Sequence, residues 1–72
     1  MIELRFHRDL YPGEAVDAAA KALAPYATAI DRAEEPAHWV LRVTASTPER
    51  ERRVAGEIAN RTLGITVRGA AS

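Results

Sequence analysis

The two histidines are the side chains best suited to bind a metal ion. His7 and His38 fall at outward-facing positions of two predicted strands. If these strands are neighbours, the imidazoles approach each other and, with Glu3 or Asp31, would form the centre of a metal-dependent enzyme. The sequence contains neither H-x-x-x-H nor H-x-H, the spacings that bring two imidazoles to one ion. We therefore expect both histidines to be solvent-exposed and predict no metal site.

The remaining polar residues favour structural roles over catalytic ones. Glu34 and Glu35 are adjacent in a predicted turn and so face different directions, which is poor geometry for an acid and base pair. Ser46 and Thr47 have no nearby histidine and suit the start of a helix. The chain has no Cys and neither of the glycine-rich phosphate-binding patterns. We predict no catalytic residue, no cofactor and no enzymatic activity.

Length and charge narrow the possible classes of protein. The 72 residues suit one domain, residues 1–72, with a thin core, since so small a domain buries only about 60% of its unfolded surface. Ten basic and ten acidic side chains are interspersed, which argues against nucleic-acid and anionic-membrane partners. No apolar run approaches the ~20 residues of a membrane span. A soluble cytoplasmic protein is expected.

Apolar periodicity predicts three strands. Ile2, Leu4 and Phe6 alternate with charged residues, and residues 38–45 alternate more strongly. Residues 27–33 alternate weakly, and a polar turn at residues 34–37 joins them to the strand that follows. Two strands joined by so short a turn should pair as an antiparallel hairpin.

The first helix is predicted to begin at Pro12 and to end at Pro25. Proline suits the first helical position, where its missing N–H is not needed, but it breaks a helix that is already formed. Val16, Ala19 and Leu23 recur between the two prolines at helical spacing. Their face is rich in alanine, which lets a helix lie close to a sheet.

A second helix is predicted to start at Ser46 or Thr47. Thr47 as the N-cap puts Pro48 at the first helical position, whereas Ser46 as the N-cap would form a capping box with Glu49. The sequence leaves both alternatives open. Either one starts the helix in the same place.

The buried seam of the second helix is expected at Val54 and Ile58. Gly64 is a natural left-handed cap, so we predict that the helix ends there. Residues 65–68 are then a short strand or further helix, and residues 69–72 should fray.

Two ion pairs are predicted on the second helix, because in each an acidic residue precedes a basic one by four positions. They are Glu49 with Arg53, and Glu57 with Arg61.

This order of elements predicts an α+β fold. We expect a small βαββα(β) open sandwich, with an antiparallel sheet and two helices packed on one of its faces. A peptide would best join such a sheet at an exposed strand edge, where backbone hydrogen bonds supply affinity and alternate side chains supply selectivity. The weak strand at residues 27–33 is the expected edge.

Two stretches carry a resemblance to a known family. Residues 6–23 run from an apolar strand end through Leu10-Tyr11 and Glu14-Ala15 into an Ala-rich helix, and residues 57–68 read Glu57-x-x-Asn60-x-x-Leu63 followed by Arg68. Together they resemble the HxsD family, small accessory proteins of His-Xaa-Ser type peptide-maturation systems that also encode radical S-adenosylmethionine (SAM) enzymes. Chain length and element order are similar as well.

The resemblance implies a non-catalytic accessory role in the maturation of a ribosomally synthesised peptide. In that role the protein would bind the precursor peptide or the radical SAM modifying enzyme. Tyr11, Asn60, Leu63 and Arg68 match the family pattern and are the candidate partner-binding residues; for Asn60, capping a carbonyl or holding the loop after the first strand is a structural alternative. The alternative function is a ferredoxin-like regulatory or structural homodimer unrelated to peptide modification.

Overall fold

Three strands and two long helices make up the fold. The computed structural model describes the backbone of residues 1–71 and the side chains of residues 1–69. In chain order the elements are β1 Ile2–His7, α1 Gly13–Leu23, a single-turn 3-10 helix Ala24–Tyr26, β2 Ala29–Glu34, β3 His38–Thr44 and α2 Pro48–Ala71. Both helices pack against the three-stranded antiparallel sheet, which confirms the predicted α+β fold. Within residues 1–71 no strand follows β3, so the optional last strand is not formed.

β3 lies at the centre of the sheet. The strand order is β1-β3-β2, and β3 pairs antiparallel with both neighbours. The register places Leu4 opposite Leu41, and Ile30 opposite Val43. Because successive side chains of a strand point to opposite faces, the large apolar residues of all three strands, except Val40, lie on the face that the helices cover. β1 and β2 are left as the two edges.

The opposite face of the sheet, which we call the open face, is largely polar and carries one large apolar side chain. Val40 lies on this face and is nevertheless fully buried. Its cross-strand partners are Arg5 on β1 and Ala33 on β2. Long charged side chains cover apolar neighbours with their methylene groups while the charged ends stay in water.

The β2–β3 hairpin forms as predicted. Glu34 is the last residue of β2, so the loop is residues 35–37 and one residue shorter than expected. The N–H of Glu35 donates to the carbonyl of His38 at 2.9 Å.

A tryptophan joins the end of the sheet to the start of α1. Trp39 Nε1 donates to the carbonyl of Tyr11 at 2.9 Å. α1 begins at Gly13, one residue later than predicted, with Pro12 as the N-cap. A Cβ at Gly13 would lie 3.1 Å from Trp39 Cζ2, so the absent side chain allows the close approach of helix and indole.

The start of α2 decides between the two predicted caps. The Oγ1 of Thr47 accepts a hydrogen bond from the backbone N–H of Arg50 at 3.1 Å. Thr47 is therefore the N-cap rather than Ser46, and Pro48 takes the first helical position, which needs no N–H.

Glu51, in the first turn of α2, ties this helix to the sheet. Its carboxylate lies 2.6 Å from the amino group of Met1 and accepts the backbone N–H of Ala45 at 3.3 Å. The hydrogen bond with the amino group, which outweighs the opposing effect of burial, holds the pKa of Glu51 below its usual value.

The predicted end of α2 at Gly64 is wrong. The helix continues to Ala71, so residues 65–68 are helical, and no described residue has the positive φ of a left-handed cap. Ile65 is half-buried, in a groove beside the start of α1, and Thr66 Oγ1 donates to the carbonyl of Thr62 at 2.8 Å. The partial burial of the Ile65 side chain offsets the roughly 1 kcal/mol that glycine costs inside a helix. Residues 69–71, expected to fray, are helical, and Ser72 lies outside the described residues.

The core lies between the sheet and the two helices. Its helical part is the predicted one, with Val16 and Ala19 from α1 and Val54 and Ile58 from α2 all buried. The buried cluster consists of Phe6, Val16, Ala19, Leu23, Leu41, Val43, Val54 and Ile58.

Candidate functional site

β2 is an edge strand, as predicted for residues 27–33, with observed bounds Ala29–Glu34. The hydrogen bond from Glu35 to His38 marks a bonded pair of the β2–β3 ladder. Bonded and non-bonded pairs alternate along an antiparallel ladder. The backbone N–H and C=O groups of Ala33, Asp31 and Ala29, at every second position before Glu35, therefore point toward β3. The residues between them present N–H and C=O groups to the outer edge; these are Ile30, Arg32 and Glu34.

Side chains along this edge differ in chemistry. Ile30 is half-buried against the core. Asp31, on the open face, is exposed and forms no ion pair with any side chain that the structure describes. Arg32 is held in place, because its Nε lies 2.6 Å from Asp17 Oδ1 and its guanidinium lies 5.1 Å from the centroid of the Trp39 ring. The edge therefore offers an apolar contact, a free carboxylate and a positioned guanidinium.

β1 forms the other edge of the sheet, and its charged side chains already have partners. Arg5 donates hydrogen bonds to both carboxylate oxygens of Glu35, one of them at 3.2 Å. Glu3 Oε1 lies 3.7 Å from Arg5 and 3.8 Å from Arg42 on β3. Between the two edges, β2 is the one with a charge left for an incoming strand.

The two histidines are neighbours, as expected if β1 and β3 are adjacent. His7 and His38 are cross-strand partners with ring centroids 5.2 Å apart. The Nδ1 of His7 accepts the backbone N–H of Asp9 at 3.3 Å. Among the described residues, no group of three or more His, Asp or Glu side chains is arranged to hold a metal ion.

Two of the four candidate partner-binding residues share one face of α2. Asn60 and Leu63 are three residues apart, which makes them neighbours on the helix surface. Leu63 is 49% exposed, and Asn60 is exposed with no side-chain hydrogen bond to any described residue. Val67, 57% exposed, follows one turn after Leu63. These residues form a small outward-facing apolar surface with one amide.

The other two candidates lie apart from that surface. The Tyr11 ring packs edge to face on Phe6, with centroids 5.5 Å apart, and lines the groove beside Ile65. Arg68 is exposed, and its Nη1 lies 3.5 Å from where a Cβ on Gly64 would be. The structure therefore does not bring the four residues into one cluster.

A further surface was missed by sequence reasoning. The two predicted ion pairs of α2 are not formed: Arg53 and Arg61 have no ion-pair partner among the described residues. Tyr26, 59% exposed, lies beside these arginines. The available signal was Tyr26 itself, an aromatic residue directly after the helix-breaking Pro25, at a position that no core pattern uses.

No helix formed by the described residues is both long enough and apolar enough to cross a membrane. Comparisons with protein-family models, with curated proteins and with solved structures find no match for the chain. Its function is therefore proposed from its own geometry and sequence pattern.

Proposed function

We propose that this protein is a cytoplasmic, non-catalytic accessory domain in the maturation of a ribosomally synthesised peptide. It binds the precursor peptide or the radical SAM enzyme that modifies it. The free outer edge of β2 carries this proposal, because an extended segment can add there as a fourth strand. The HxsD-like pattern at residues 6–23 and 57–68 supports the biological setting.

The side chains of β2 favour a particular segment. Cross-strand pairs of opposite charge stabilise a sheet, so a Lys or Arg of the incoming strand is favoured opposite Asp31. The residues on either side of that Lys or Arg in the incoming strand point to the face that the helices cover, where an apolar one can pack on Ile30. The bound segment is therefore extended, with a basic residue flanked by an apolar one. The charges on β2 also oppose unspecific pairing of sheet edges.

Two substitutions at Arg32 test this proposal. Arg32→Pro and Arg32→Ala both remove the ion pair with Asp17 and the contact with Trp39. Only proline also removes the outward N–H and places a ring at the edge. The binding partners for the assay are the precursor peptide and the modifying enzyme encoded beside the gene for this protein, titrated into the purified chain by calorimetry.

We expect Arg32→Pro to weaken binding by about tenfold relative to Arg32→Ala, the upper end of what one main-chain hydrogen bond contributes. Thermal melts of both variants check that they are folded. The proposal fails if neither partner binds the unmodified chain at high micromolar concentration. Equal affinities of the two variants would show that binding does not use this edge.

A second candidate function is a homodimer joined through the same edge. If two copies of β2 pair antiparallel with Ala33 opposite Ala33, each Arg32 stands opposite the other copy's Glu34. This register uses the outward backbone groups and joins opposite charges at the two Arg32–Glu34 pairs, which favours the pairing, whereas the like-charge approach of Asp31 to the other copy's Glu35 opposes it. A ferredoxin-like regulatory or structural dimer would follow.

A further inference from the structure

The arginines of this protein fall into two groups. Each of the four outside α2 has a partner: Arg5, Arg32 and Arg42 form ion pairs, and Arg8 donates to the carbonyl of Glu35. In contrast, the side chains of the five arginines of α2 form no ion pair or hydrogen bond with any described residue. These five are Arg50, Arg52, Arg53, Arg61 and Arg68.

This division gives the molecule two charged regions. α2 contains five Arg and three Glu, a formal charge of +2, and the rest of the chain contains five basic and seven acidic residues, a formal charge of −2. Glu51 is further occupied by the amino group of Met1. The interspersed charges of the sequence therefore become an unequal field at the surface, in which α2 carries every described arginine whose side chain has no partner.

Three of these arginines border a groove beside the end of α1. Its volume is about 550 Å³, and Tyr26 stands at its rim with 59% of its surface exposed. Leu23 and Val54, both buried core residues, form its floor. We call it the Tyr26 groove; it is lined by Leu23, Tyr26, Thr47, Glu49, Arg50, Arg53, Val54, Glu57 and Arg61.

The chemistry of the groove suits carboxylates and an apolar side chain. A guanidinium binds a carboxylate through two parallel hydrogen bonds, and an arginine without an internal partner keeps all of its donors for such a ligand. Tyrosine supplies a broad apolar contact with little loss of side-chain freedom, as it does in protein interfaces. An acidic segment containing an aromatic or aliphatic residue matches both features.

The groove fits a peptide better than a nucleic acid. Two glutamates also line the groove: Glu49 precedes Arg50, and Glu57 lies between Arg50 and Arg61, which are eleven residues or about 16 Å apart along α2. A nucleic-acid strand carries a negative charge about every 3.4 Å and would meet Glu57 as well as the arginines. A peptide can place its carboxylates opposite the arginines and neutral or basic residues opposite Glu49 and Glu57.

We propose that the Tyr26 groove binds an acidic peptide segment that carries an aromatic or aliphatic side chain. This inference rests on the proposed function, because the segment is taken to belong to the partner that pairs with β2. The groove is placed for this, since Tyr26 precedes the first residue of β2, Ala29, by only three positions.

Fluorescence anisotropy tests the inference directly. The probe is a fluorescein-labelled twelve-residue peptide of Glu and Leu with one central Phe and one Lys. We expect Arg61→Gln and Arg50→Gln each to weaken its binding by about tenfold, as loss of a charge-assisted hydrogen-bonded pair predicts. Tyr26→Ser should weaken it as well.

Arg52→Gln is the matched control. Arg52 is an exposed, unpaired arginine of the same helix that does not line the groove, so its removal changes the net charge equally. We expect this variant to bind the probe as the unmodified chain does. An equal loss at Arg52 and Arg61 would show an unspecific field and overturn the inference, as would absence of probe binding or tighter binding of labelled oligothymidylate.

The same variants separate this inference from the proposed function. If the precursor peptide or enzyme binds, is weakened by Arg32→Pro and is unaffected by Arg61→Gln, the groove inference fails and the proposed function stands. If neither partner binds but the acidic probe does so with the expected Arg61 dependence, the groove is a peptide site and the proposed function fails.

Discussion

Among single residues, Thr62 has the least favourable environment. Its side chain is fully buried in α2, and its hydroxyl has no hydrogen-bond partner among the described residues. A buried hydroxyl without a partner costs roughly 1–3 kcal/mol. We expect Thr62→Val, which keeps the shape and has a similar helix propensity, to raise the free energy of unfolding by about 1 kcal/mol.

Urea denaturation of Thr62→Val and Thr66→Val measures this effect. Thr66→Val removes a hydroxyl that is satisfied, since it donates to the carbonyl of Thr62 at 2.8 Å. We expect this control to be neutral or destabilising by about 0.5 kcal/mol. If Thr62→Val instead lowers stability by more than the control, the Thr62 hydroxyl is hydrogen-bonded in solution and its assignment as unsatisfied is wrong.

Among the elements, α2 continues through a glycine at which the sequence predicts that it ends. Gly64 lies inside the helix, and a Cβ there would meet only the flexible end of Arg68 at 3.5 Å. Alanine is favoured over glycine inside a helix by roughly 0.5–1 kcal/mol. We expect Gly64→Ala to stabilise the protein by that amount in chemical denaturation.

Gly13→Ala is the contrasting variant. Its new Cβ would lie 3.1 Å from the Trp39 ring, which is held by its hydrogen bond to Tyr11. We expect this variant to lose stability, because a fixed ring cannot move aside without cost.

The opposite result at the other glycine would contradict the continuous helix. A loss of stability for Gly64→Ala would indicate a left-handed cap at that residue and a shorter α2 in solution.

At the scale of the whole molecule, a long helix is attached to a small sheet. The 24 residues of α2 span about 36 Å, nearly the full 37 Å length of the protein. A domain of this size is stable by roughly 4–10 kcal/mol. A change of about 1–2 kcal/mol in the packing of α2 on the sheet is therefore a large fraction of the total.

We expect the protein to be a monomer at low micromolar concentration. A specific stable interface buries about 800 Å² per partner. The edge of β2 is six residues long, and the apolar surface on α2 consists of two half-exposed side chains, Leu63 and Val67. Light scattering of the purified chain measures the mass. A dimer that persists without any peptide and dissociates in Arg32→Pro would favour the second candidate function.

The candidate site was only partly accessible from the sequence. The weak alternation of residues 27–33 identified β2 as an edge, because an exposed strand needs few large apolar residues. The proximity of His7 and His38 followed once β1 and β3 were taken as neighbours. In contrast, the spacing of Glu57 and Arg61 predicted an ion pair that is not formed. Such exposed pairs are worth only a few tenths of a kcal/mol, so local spacing does not decide them.

The sequence by itself determined the elements and the fold class. Alternation in β1 and β3, the Thr47 and Pro48 start of α2 and the Pro25 end of α1 are local signals, which depend on backbone sterics within a few residues. Tertiary structure decided the continuation of α2 through Gly64, where the burial of Ile65 beside α1 outweighs glycine's local preference. It also decided which charges are paired, because partners such as Arg32 and Asp17 are distant in sequence and meet only when helix and sheet pack together.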